Sequence, residues 1–202
     1  EEVLHTDPSI AATEHPVTEL VGPPTLEFRN VSFAYPGAES PVLHDVSFKL
    51  AAGDTLAVVG STGSGKTTLV NLIARLVDVT AGEVALNGVD VREIDPELLW
   101  SRIGLVPQKP FLFSGTVGSN LRFADPDATD EQVQEALRIA QAESFVAAMP
   151  GGLDAPITQG GTNVSGGQRQ RLAIARALVR NPAIFLFDDS FSALDLATDA
   201  RL

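Results

Sequence analysis

Apolar and polar residues alternate along the first patterned stretch of this chain. Leu26-Glu27-Phe28-Arg29, Val31-Ser32-Phe33 and Val46-Ser47-Phe48-Lys49-Leu50 carry the two-residue period of half-buried strands. Pro36-Gly37 between them is a turn signal, so the pattern predicts antiparallel strands. Thr55-Leu56-Ala57-Val58-Val59 is apolar without alternation, which predicts a strand buried on both faces. From Lys66 the period lengthens, and Leu69, Leu72, Ile73 and Leu76 recur at helical spacing. Gly82 to Val91 reads as a hairpin turning at Asn87-Gly88. Beyond it the texture turns helical. Asp95 caps a helix entered at Pro96-Glu97, and residues 130 to about 142 are amphipathic. A long helix is predicted over 163–180, with Leu172-Ala173-Ile174-Ala175 apolar nearly all round and therefore buried. Ala183-Ile184-Phe185-Leu186-Phe187 is a short, wholly apolar strand of parallel-sheet type. Prolines at 8, 16, 23 and 24 mark residues 1–24 as a linker, with Val3-Leu4 as the tail of an upstream helix.

Composition narrows what this pattern can serve. The chain has 202 residues, 44% hydrophobic and 20% charged, ordinary values for a globular chain with a sizeable core. Its net charge of −12 leaves no basic field to hold nucleic acid or anionic lipid, so any phosphate affinity must be local. The absence of cysteine excludes a disulfide scaffold and is compatible with the cytosol. No apolar run approaches the roughly 18–20 residues of a membrane span, and no signal peptide is visible. The chain opens on Glu1-Glu2 and stops at Leu202 inside a helix-like pattern, as a fragment of a longer protein would.

The local chemistry is concentrated after the apolar strand. Gly60-Ser61-Thr62-Gly63-Ser64-Gly65-Lys66-Thr67-Thr68 fits G-x-x-x-x-G-K-[ST]. Glycines let the backbone curl so that successive N–H groups point inward and form an anion nest. Lys66 offers a point charge to β- and γ-phosphates, and Thr67 a hydroxyl to Mg²⁺. The helix that follows adds its positive end. Asp188 ends the second apolar strand, where a carboxylate can hold Mg²⁺ through water. Val164-Ser165-Gly166-Gly167-Gln168 bares the backbone at another helix start and makes a second anion site. Two anion sites far apart in one chain suggest that each holds one end of a different nucleotide.

With these residues in view, the sequence resembles the nucleotide-binding domain of ABC transporters of the exporter type, over residues 20–202. Walker A is Gly60 to Thr67, and Walker B is Ile184 to Asp188. The signature is Val164 to Gln168, with valine where leucine is usual. Ser192-Ala193-Leu194-Asp195 matches the D-loop and Gln108 the Q-loop. Tyr35, by residue type alone a core aromatic, matches the ring that stacks on adenine. Phe111-Leu112-Phe113-Ser114-Gly115-Thr116-Val117 looks like the segment that meets the coupling helices of a transmembrane domain. Trp100 reads as packing, and Arg169, Arg171, Arg176 and Arg180 as solvated helix charges.

Two departures from the family pattern bear on mechanism. Asp189 follows Asp188 where hydrolytic members carry the glutamate that polarises the attacking water. Aspartate sets its oxygens roughly 1 Å back, and a misplacement of that size can cost about 10²-fold in rate. Gln159-Gly160-Gly161-Thr162-Asn163 also lacks the Glu-Arg-Gly usual in homodimeric exporters. Heterodimeric exporters commonly pair one such degenerate subunit with a competent one. The family's switch histidine falls beyond Leu202, since His5, His15 and His44 all precede the phosphate loop.

The resemblance implies an α/β fold: a P-loop NTPase core with a mostly parallel sheet, an antiparallel N-terminal β subdomain, and a helical signature subdomain around 95–180. The domain would fill 25–202. ATP and Mg²⁺ would be held by the residues of 60–68 with Gln108 and Asp188, and the base by Tyr35. Ser165, Gly166, Gly167 and Gln168 would complete the site of a second nucleotide-binding domain, at the cytoplasmic face of a membrane. Two other classes stand beside this one: a regulatory module that binds nucleotide without hydrolysis, and a soluble ABC ATPase. The second has a coiled-coil insertion before the signature or a tandem second domain; the stretch from Lys66 to Ser165 has no room for such an insertion, and the segment from Phe111 to Val117 favours a membrane partner.

Overall fold

The computed structural model describes Ile10 and residues 13–190. Val3-Leu4 and the D-loop match at 192–195 lie outside the described residues. The chain divides into two compact units, residues 1–102 and 103–202.

The first unit is built on an antiparallel sheet of β1 (Leu26–Phe33), β2 (Leu43–Leu50), β3 (Ala81–Leu86) and β4 (Val89–Asp90), in the order β2-β1-β3-β4. Phe28 lies opposite Phe48 in the register, and their rings stack at 4.5 Å. The sequence split β1 into two alternating pieces, and the structure shows why they are out of phase. Asn30 takes a left-handed φ of 50, and the register shifts between Phe28 and Val31. A bulge of this kind resets which face each later residue meets, so Leu26, Phe28, Val31 and Phe33 are all buried. The hairpin at Asn87-Gly88 forms as expected, with φ of 52 and 80 at those two residues. Gly82 is required where β1 and β3 cross closely. Its φ is 78, and a Cβ there would stand 2.4 Å from the carbonyl oxygens of Arg29 and Asn30. Part of the stretch expected to run as a linker lies along this unit: the Val17 N–H donates to Glu93 O at 2.8 Å, and Asp95 N–H to Val17 O at 2.9 Å.

Two helices complete the first unit. The helix α1 spans Lys66–Ile73. It stops before Leu76 because Arg75 turns to a left-handed φ of 48. The helix α2 spans Pro96–Ser101, and the Asp95 carboxylate accepts from the backbone of Glu97 and Leu98 as predicted. Trp100 is half exposed and donates its indole N–H to Ala74 O at 3.1 Å. The strand expected at Thr55–Val59 is not formed: these residues belong to no sheet, and Val59 is 94% exposed. An all-apolar strand of this type is stable only with ladder partners and cover on both faces. Among the described residues of its unit, the sheet closes on β2 and β4 without it.

The second unit holds β5 (Ile103–Val106) and β8 (Ile184–Phe187), paired in parallel, and a short β6 (Gly115–Thr116) paired with β7 (Pro156–Ile157). Its helices are α3 (Val117–Leu121), α4 (Asp130–Ile139), α5 (Glu143–Ala148) and α6 (Gly166–Val179). The core gathers Leu112, Leu121, Val133 and Leu137 with Leu172 and Ile174 of α6, which is why the middle of that helix is apolar all round. The amphipathic stretch expected over 130 to about 142 forms as α4, which ends at Ile139 shortly before Gln141 turns to a left-handed φ of 53, and α5 begins beyond it.

Candidate functional site

In the first unit the loop from Gly60 to Gly65 forms a tight turn. Ser64 N–H donates to Ser61 O at 3.2 Å, and Gly65 stands at the α1 N-cap with φ 91. Only glycine suits that cap, since a Cβ would press within 2.9 Å of Leu43 Cδ2 and 3.3 Å of Val42 O. The Lys66 ammonium folds back over the loop and donates to Gly60 O at 2.8 Å and Ser61 O at 2.9 Å. The start of α1 has no side-chain cap and no acidic residue in its first turn. Backbone amides without a side-chain cap, a helix dipole and a lysine at one place are the donor set that a polyphosphate needs. Thr67 and Thr68 open the helix, and Ser61, Thr62 and Gly63 lie in the exposed loop.

Tyr35 belongs to the same unit. Its ring meets Phe33 edge-on, with centroids 4.8 Å apart, and its hydroxyl is 3.1 Å from Thr68 Oγ1. Nothing in the sequence links these two residues, which are far apart along the chain.

The second unit places Gln108 just after β5 and Asp188-Asp189 just after β8, so the parallel pairing brings them to one end of the two strands. Asp188 N–H donates to Val106 O at 3.0 Å, and Ser190 Oγ donates to the same carbonyl at 2.7 Å. Gln108 Nε2 donates to Asp189 Oδ2 at 3.0 Å. Asp189 has a left-handed φ of 47. The carboxylates and the amide oxygen are hard ligands of the kind that Mg²⁺ selects.

The signature helix starts later than the pattern suggested. Ser165 is its N-cap rather than an interior residue, because a capping box forms. Gln168 N–H donates to Ser165 Oγ at 3.2 Å, and Ser165 N–H donates to Gln168 Oε1 at 2.9 Å. Gly166 and Gly167 fill the first turn. Asn163 instead braces the preceding loop, accepting from Thr158 N–H at 3.0 Å and donating to Pro156 O at 2.7 Å. Arg180 is exposed, as expected of a solvated charge, but Arg169, Arg171 and Arg176 differ from that expectation. Arg169 donates to Gly161 O at 2.9 Å, and Arg171 donates to Gln141 O at 2.9 Å while covering the Phe145 ring. Arg176 lies 5.8 Å from the Phe113 ring centre, and burial pulls its guanidinium below the ordinary value. A helix packed in a core sends its long side chains to whatever carbonyls and rings lie beside it, and sequence periodicity does not locate those.

The segment from Phe111 to Val117 presents aromatic rings. Phe111 and Phe113 are half exposed, and Phe113 stacks on Phe123 at 4.4 Å. Asn120, which the sequence reading missed, shapes this segment: it accepts from Phe113 N–H at 2.8 Å and donates to Phe113 O at 2.9 Å.

The profile of the ABC transporter family matches residues 43–192. The chain belongs to the ABC transporter family. An ABC transporter ATP-binding protein of Mycobacterium tuberculosis is 53% identical over 205 residues, covering 100% of this chain and 35% of that protein. A multidrug efflux ATP-binding/permease protein of Mycobacterium bovis is 46% identical over 100% of the chain and 17% of its own length. Among solved structures, a bacterial Atm1-family ABC exporter with ATP bound matches with a TM-score of 0.93 and 35% identity, over 99% of this chain and 35% of that one. The chain therefore spans about a third or less of these relatives. The exporter-type nucleotide-binding domain and the α/β fold with its antiparallel N-terminal β subdomain are borne out, while among the described residues the sheets are mixed rather than mostly parallel, with β5 and β8 as the parallel strand pair. Among the described residues, no helix of this ABC domain is long and apolar enough to cross a membrane.

Proposed function

We propose that this chain is the ATP-binding domain of an ABC exporter, working at the cytoplasmic face of a membrane and driving transport by nucleotide-dependent closure against a second nucleotide-binding domain. The observation that carries this reading is the uncapped start of α1, with Lys66 folded over a glycine loop. The amides of 60–66 and the Lys66 ammonium bind the triphosphate, and Tyr35 stacks on the base. Thr67 in the first unit would offer a hydroxyl to Mg²⁺ and Gln108 and Asp188 in the second would offer oxygens, and the metal would supply charge neutralisation to the phosphates. Ser165, Gly166, Gly167 and Gln168 serve the partner's nucleotide. The exposed rings of Phe111 and Phe113 meet the transmembrane domain.

Asp189 stands where the attacking water would be polarised, one methylene short of glutamate. Its own site therefore hydrolyses ATP weakly, and the partner is a different, competent subunit. The alternative is a module that binds nucleotide and never participates in hydrolysis. Turnover by the assembled transporter separates the two, because only the exporter reading makes turnover depend on Ser165. The binding claim is tested by calorimetry with ATP and Mg²⁺. Lys66→Ala is expected to weaken ATP binding by well over tenfold, and equal affinity in both proteins sinks the assignment.

A further inference from the structure

Tyr35 hangs just past the end of β1, in a turn closed by Ala38 N–H donating to Tyr35 O at 3.0 Å. Its ring is 42% exposed. A ring in such a place has soft torsions, and freezing it on binding would cost affinity. Two contacts restrain it in advance. Phe33 meets it edge-on, with planes at 86°. Its hydroxyl is hydrogen-bonded to Thr68 Oγ1 at 3.1 Å. Thr68 is itself fixed, being on the third residue of α1 and only 4% exposed. The Thr68 side chain is thus engaged with the Tyr35 hydroxyl, whereas the family resemblance places it only among the residues that hold ATP.

We propose that Thr68 is a positioning residue for base recognition: it pins the Tyr35 ring as a preformed stacking platform and ties that platform to the helix whose first turn holds the phosphates. This rests on the reading that the chain binds ATP. The consequence is a division of labour between adjacent threonines. Thr67 faces the metal and phosphates, and Thr68 faces the base through Tyr35. Base stacking and phosphate binding then share one rigid element, so the platform is set before nucleotide arrives.

The test measures binding of two probes, ATP and inorganic tripolyphosphate, to the full-length protein and its variants. Thr68→Val keeps the shape and removes the hydroxyl, and Tyr35→Phe removes the other half of the bond. A neutral hydrogen bond of this kind corresponds to roughly a fivefold change in affinity. Each variant is therefore expected to lower the ratio of ATP to tripolyphosphate affinity about fivefold, and the double variant to lower it no further than either single one. Thr68→Ser is expected to restore the ratio. Equal weakening of both probes by Thr68→Val would make Thr68 a phosphate ligand and overturn the proposal. Losses that multiply in the double variant, or an unchanged ratio in Tyr35→Phe, overturn it as well. Lys66→Ala in the same series keeps the two levels apart: ATP binding insensitive to Lys66 refutes the binding reading itself, whereas sensitivity to Lys66 with an unchanged ratio in Thr68→Val refutes this inference alone.

Discussion

Ser165 has two assignments, and exchanging it for alanine or for glycine separates them. Its hydroxyl accepts from Gln168 N–H at 3.2 Å and caps α6, and in the proposed mechanism it also faces the partner's γ-phosphate. Losing a serine cap to alanine costs about 1 kcal/mol, whereas glycine at the same position costs only a few tenths. For a chain of this size that difference amounts to a melting point roughly 2–4 °C lower for Ser165→Ala, and barely moved for Ser165→Gly. The transition-state contribution is larger. A donor aimed at developing phosphate charge in a comparable site is worth about 2–4 kcal/mol, or roughly 30- to 1,000-fold in rate. Both variants lack the hydroxyl, so both should lose turnover to a similar extent although only the alanine variant is measurably less stable. The assay is steady-state ATP hydrolysis by the assembled transporter, run beside thermal melts of the same preparations. Near-normal turnover in Ser165→Gly together with failure in Ser165→Ala would show that the hydroxyl acts only as a cap, and the reasoning about the partner's nucleotide would be wrong.

On the proposed reading of Asp189 as a shortened, poor base, Asp189→Ala should lower turnover of the assembled transporter only slightly. Abolished turnover there, with Ser165→Ala intact, would make this chain a catalytic subunit with an aspartate base. Gly82→Ala should destabilise the first unit by at least about 2 kcal/mol, since left-handed strain adds to a backbone clash. Its φ is 78, and the clash is with two carbonyl oxygens 2.4 Å from the added Cβ. Denaturant titration checks this, and an unchanged midpoint would contradict the close crossing of β1 and β3.

The parts of this structure that the sequence disclosed are those whose causes are local. The Asn87-Gly88 hairpin, the Asp95 cap and the phosphate loop each depend on residues a few positions apart. The start of α6 was legible too, because Ser165 and Gln168 have capping-box spacing, although the helical pattern pointed three residues earlier. What escaped depends on distant partners. Whether 55–59 joins a ladder is decided by strands from elsewhere in the chain, and parallel pairing is never a local event. The destinations of Arg169, Arg171 and Arg176 are set by carbonyls and rings that only the packed fold brings near. The Tyr35–Thr68 pair joins a turn to a helix across the whole of β2.

The left-handed backbone at Asp189, with φ 47, has a consequence for how this position changes over generations. Aspartate and glutamate are one base apart in the code, so exchange between them is a single mutational step. The local conformation does not treat the two alike. Short polar side chains are enriched in the left-handed region because they can bond to nearby backbone, an option that weakens with each added methylene. On the proposed reading, aspartate here combines backbone comfort with a poorer base. A change to glutamate would have to lengthen the side chain and re-strain the chain at once. The conformation thus resists that exchange in one direction more than in the other.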